Sequence, residues 1–120
     1  MSKKTFLFGI SLFLGILFSI TSAKVTAHSP TNLVLEYNAN TQSLNATFTH
    51  NVDTTDHYIK TVLITVNGST VLNIPYTSQP SNIFTYNYTI TANAGAIISV
   101  KGTCSRSGSI TRTFTVGIGQ

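Results

Sequence analysis

A single cysteine, Cys104, in a chain of 120 residues excludes an internal disulfide framework. Neither a Cys-x-x-Cys nor a His-x-x-x-His spacing occurs, so no compact zinc signature is present. Acidic residues number only three, Glu36, Asp53 and Asp56, and the chain offers no carboxylate pair, no nucleophile with a paired base and no phosphate-binding loop. Apolar residues at helical three-four spacing are missing as well, which argues against a helical domain.

The formal net charge of +4 suggests an acidic partner until the charges are located. Lys3 and Lys4 stand one residue before a run from Phe6 to Ile20 that contains only Gly and Ser besides large apolar residues. A charged start, an apolar middle and then small residues form the layout of a secretory signal peptide, expected over 1–27. Thr21-Ser22-Ala23 and Val25-Thr26-Ala27 both fit the small-residue rule for cleavage, and the second is preferred. An uncleaved membrane anchor over residues 5–23 is the rival reading, near the lower length limit for a span. Either way the paired lysines stay inside and the remaining chain is exported, to the periplasm, the cell surface or the medium.

Over residues 28–120, four cations (Lys60, Lys101, Arg106 and Arg112) face three anions, leaving +1. The apparent basicity therefore belongs mostly to the leader, and nucleic acid is not expected as a partner. Thr, Asn and Ser dominate this stretch, giving a polar, weakly charged surface that suits an exported β-protein.

Period-two alternation recurs throughout. Leu44, Ala46 and Phe48 alternate with polar residues and share one strand face. The segment 57–66 ends at Asn67-Gly68, the pair suited to a two-residue hairpin because both turn positions need φ > 0. Strands are predicted at 33–37, 44–49, 57–66, 70–76, 83–92, 96–103 and 110–116. Seven short strands in so few residues predict an all-β fold, an immunoglobulin-like antiparallel β-sandwich forming one domain over 28–120. Pro75 is expected at an edge or a strand end, since it cannot donate to a ladder.

Three histidines and the cysteine remain as candidate chemistry: His28 before the first strand, His50 ending the second, His57 opening the third and Cys104 ending the sixth. In a sandwich, strand ends gather at two poles, so ligands distant in sequence can converge. Imidazole and thiolate suit a borderline-soft transition metal. Three solvated or structural histidines and a small buried cysteine are the alternative on spacing alone.

Three segments add a resemblance: His28-Ser29-Pro30, then His50 through His57-Tyr58-Ile59, then Cys104-Ser105-Arg106-Ser107-Gly108. In this order they resemble the iron-binding domain of superoxide reductases and desulfoferrodoxins, whose motifs are His-x-Pro, two histidines flanking a short loop with the second in His-Tyr-Ile, and Cys-Asn-x-His-Gly. That family is an immunoglobulin-like sandwich with an iron held by four histidines in a plane and an axial cysteine. The resemblance implies His28, His50 and His57 as three of the histidine ligands, Cys104 as the axial thiolate, iron as the cofactor, superoxide as the substrate and an external electron donor.

Departures accompany the likeness. Ser107 stands where the fourth histidine belongs, Thr26-Ala27 replaces the Glu-Lys pair before the first ligand, Asn51 replaces a proline, and the loop between His50 and His57 is one residue longer. A three-His, one-Cys set also suits zinc or copper. Cleavage after Ala27 would make His28 the terminal residue, able to chelate copper through its amine and imidazole. A metal-free, immunoglobulin-like interaction module is the alternative from a different class.

Two lesser features complete the inventory. Asn45-Ala46-Thr47, Asn67-Gly68-Ser69 and Asn87-Tyr88-Thr89 have the form of glycosylation acceptors. Tyr76, Tyr86 and Tyr88 are expected to pack rather than to form a recognition surface.

Overall fold

The computed structural model describes residues 29–52 and 56–118. The expected signal segment and His28 lie outside the described residues. Seven strands follow in chain order: β1 (Asn32–Asn38), β2 (Ser43–Thr49), β3 (Ile59–Val66), β4 (Ser69–Pro75), β5 (Ile83–Thr89), β6 (Ile97–Cys104) and β7 (Ser109–Thr115). No helix occurs among the described residues.

All pairings are antiparallel, in a three-stranded sheet of order β1-β2-β5 and a four-stranded sheet of order β4-β3-β6-β7. Constant-type immunoglobulin domains place the fourth strand in the sheet of the first two. Here β4 stays beside β3, because Asn67 and Gly68 join them as the expected tight turn, with φ of 51° and 84°. Asn67 also accepts a hydrogen bond from the Ile97 amide through Oδ1 at 3.0 Å, tying the turn to the start of β6. Pro75 ends β4, an edge strand, where its missing N–H removes nothing from the ladder.

The alternation read from the sequence becomes the core. Leu44, Ala46 and Phe48 of β2 are fully buried, and they face Val62 and Ile64 of β3 and Ile98 and Val100 of β6. Phe48 stacks on Phe84 of β5 with ring centroids 5.6 Å apart. Burying such side chains contributes roughly 1.5–3 kcal/mol each, so this layer carries the stability of a chain with no disulfide among its described residues.

Aromatic side chains close the sandwich where edge strands meet. Tyr76, just past β4, stacks on Tyr86 of β5 at 4.4 Å and 4°, and its hydroxyl lies 2.8 Å from that of Tyr88. The tyrosine group therefore packs, as its alternate-residue spacing predicts. Toward β7, Tyr37 sets its ring edge-on to Phe114 and donates its hydroxyl to the Ile90 carbonyl at 2.6 Å.

Strand boundaries differ from expectation by more than one residue at two places. β5 stops at Thr89, three residues early, as the chain leaves toward the turn at Ala94-Gly95. β3 begins at Ile59, leaving His57 and Tyr58 before the strand.

Candidate metal centre

β2 runs toward the pole where β3 begins, and β3 pairs antiparallel with β6, so that Ile59 is the register partner of Cys104. The connection from β2 to β3 crosses from one sheet to the other at that pole and carries both His50 and His57. Chain direction alone thus brings two histidines and the end of β6 together.

A register irregularity then aims the side chains. In the β3–β6 ladder Ile59 pairs with Cys104 and Thr61 with Thr103, so Lys60 bulges out. Ile59 is buried before the bulge, and Val62 and Ile64 are buried after it. Without that extra residue one of the two sets would point to solvent. The bulge lets β3 contribute to the core below while His57, two residues before Ile59, also turns inward.

His50, His57 and Cys104 are all buried, at 1 %, 4 % and 2 % exposure, although histidine is not a typical core residue. One ligand atom from each lies within 4.8 Å of the other two. Donors on one tetrahedral ion lie about 3.5 Å apart, given bond lengths of about 2.0–2.3 Å. At the observed upper bound, side-chain adjustments of under about 1 Å would bring the three onto one ion. The two imidazole rings meet edge to face, with centroids 4.7 Å apart and planes at 89°. This group could hold a metal ion.

Surrounding contacts reach the His50 and Cys104 donors. Gln79 reaches His50 Nδ1 with Oε1 at 2.8 Å. The Arg106 amide approaches Cys104 Sγ at 3.4 Å, an N–H···S contact that orients the sulfur. The Cys104 amide donates to the Gly108 carbonyl at 2.9 Å, which closes the 104–108 loop on itself.

That loop is stapled to the segment carrying His57. Ser105 Oγ accepts from the Tyr58 amide and donates to the Asp56 carbonyl, both at 3.0 Å, and the Ser105 amide donates to the Tyr58 carbonyl at 2.8 Å. At the rim, Arg106 forms an ion pair with Asp56 at 3.2 Å. Asp56 and Tyr58 on one side and Ser105 and Arg106 on the other are thereby held together through both backbone and side chain.

His28 lies outside the described residues, but its neighbour is anchored at the same pole. Gly108 has φ of +84°, and a Cβ there would land on the Ser29 side chain. Pro30 is buried, and Thr31 donates its amide to the carbonyl of Thr49, the residue before His50, at 2.9 Å. Residues 29–31 therefore run between the 104–108 loop and the end of β2. Ser107, standing where the resemblance puts a fourth histidine, is exposed.

The structure thus brings together His50, His57 and Cys104 of the four residues expected from the sequence. Gln79 and Ser105, which position them, were not foreseen. Pro80 biases Gln79 toward extended backbone, but a lone glutamine in a loop has no spacing that marks it. A scan against protein-family models and a search of curated proteins gave no match to the chain.

Proposed function

We propose that this chain is an exported metal-binding β-sandwich domain, with His50, His57 and Cys104 as ligands and His28 as the fourth. The convergence of three buried N and S donors in one cluster carries this reading. Support for His28 comes from Ser29, which is anchored against the loop that bears Cys104. Support for export comes from the layout of residues 1–27.

Iron is the ion that the resemblance implies, and copper or zinc suits the same donors. The immunoglobulin-like relationship and superoxide as substrate rest on the same resemblance. A ferrous ion would supply one electron, which with two protons converts superoxide to hydrogen peroxide, and an external donor would restore that electron. The protein's own residues would supply imidazole and thiolate ligands, an amide N–H in contact with the sulfur and a buried setting that limits solvent access.

Elemental analysis of protein purified from its native compartment tests this reading. One equivalent of metal, lost in Cys104→Ala and in His57→Ala, supports it. Metal at background level, with both variants as stable as the parent, leaves the metal-free interaction module as the function. With metal established, consumption of superoxide by the reduced, loaded protein decides the redox activity.

A further inference from the structure

Gln79 uses its whole side-chain amide at this pole. Nε2 donates to the His50 carbonyl at 2.9 Å and to the Ser81 carbonyl at 2.8 Å. Oε1 accepts from the Ile59 amide at 3.1 Å and faces His50 Nδ1 at 2.8 Å. Carbonyls only accept and a backbone amide only donates, so the orientation of the Gln79 amide is set by its three backbone partners. Turning it over would aim oxygen at two oxygens and NH2 at an N–H.

A fixed Oε1 leaves His50 Nδ1 one role, that of donor. In the neutral ring the proton then sits on Nδ1 and the lone pair on Nε2. We infer that Gln79 is a positioning residue that locks His50 in the Nδ1–H tautomer and so presents Nε2 as the metal-binding nitrogen. The same amide ties the end of β2, through the His50 carbonyl, to the start of β3, through the Ile59 amide. It thus holds the spacing between the two elements that carry the histidines. Partners of this kind orient metal-ligating histidines generally, and removing one costs about 10- to 100-fold in metal affinity.

The inference concerns the ring itself and rests on the proposed metal site only for its consequence, so the two are tested separately. Long-range 1H–15N correlation spectra of the 15N-labelled full chain without metal report the tautomer of each histidine ring. The expected result is His50 protonated on Nδ1 in the parent. Loss of that preference is expected in Gln79→Met, together with a 10- to 100-fold weaker affinity for cobalt(II). An Nε2–H ring in the parent overturns the inference, as does a tautomer unchanged in Gln79→Met. Should Gln79→Met not fold, the parent spectrum decides the matter. A parent with the expected tautomer that binds no cobalt(II) contradicts the metal site and leaves the positioning role standing.

Discussion

Ile59 and Cys104 are register partners across the β3–β6 ladder, and one residue later the ladder slips by a bulge at Lys60. This pairing places the last residue of β6 beside the segment that carries His57. It makes the cluster a product of strand register rather than of any local motif. Deleting Lys60 is expected to remove the bulge and to reverse the facing of either Ile59 or Val62 and Ile64. Thermal unfolding should lose its cooperativity in that variant, and a sharp, parent-like transition would contradict the role given to the bulge.

The loop from Cys104 to Gly108 supplies a second prediction. Gly108→Ala adds a Cβ at positive φ and directs it onto Ser29. A positive φ costs a non-glycine residue of order 1–3 kcal/mol, and the collision adds to that. Denaturant unfolding should show destabilisation of at least about 1 kcal/mol. Metal affinity should also fall if the anchored Ser29 brings His28 to the site.

Ser105 and the Asp56–Arg106 pair lie side by side yet differ in weight. Ser105→Ala removes a hydroxyl that satisfies the Tyr58 amide and the Asp56 carbonyl, and about 1–2 kcal/mol of stability should go with it. Asp56→Asn weakens an ion pair whose side chains are 42 % and 72 % exposed, and solvent screening limits such pairs to under about 1 kcal/mol. Measured denaturation midpoints should rank the two variants in that order.

Alkaline stability depends on the tyrosine group. Burial, and then the hydroxyl of Tyr76, push the Tyr88 phenol far above its ordinary value, and burial with the Tyr76 charge pushes Tyr86 up as well. A raised folded-state value keeps its stabilising contribution in full below the unfolded value of about 10 and loses it as pH rises through the folded value. Stability should therefore decline above about pH 10. The decline should be shallower in Tyr88→Phe, which lacks one titrating group, and equal slopes would contradict the assignment.

Much of the fold was legible because single residues announce it. Leu44, Ala46 and Phe48 alternate cleanly, Asn67-Gly68 specifies its turn, and Pro75 marks an edge. His50, His57 and Cys104 could be named as candidates because imidazole and thiolate are scarce in this chain. Their convergence could not be derived from spacing, since it depends on strand order and on the Lys60 bulge, which are properties of the assembled sheets. Gln79 was invisible for another reason. Its four hydrogen bonds reach backbone groups and one ring from a loop whose path is set only after β2, β3 and β5 have packed.

The central claim is that His50, His57 and Cys104 bind one metal ion together, and cobalt(II) titration of the reduced protein tests it most directly. One equivalent should produce an intense near-ultraviolet thiolate-to-cobalt charge-transfer band with visible bands of a low-coordinate ion, and Cys104→Ser should abolish the former. Visible bands alone, or no spectral change at one equivalent, would contradict the claim.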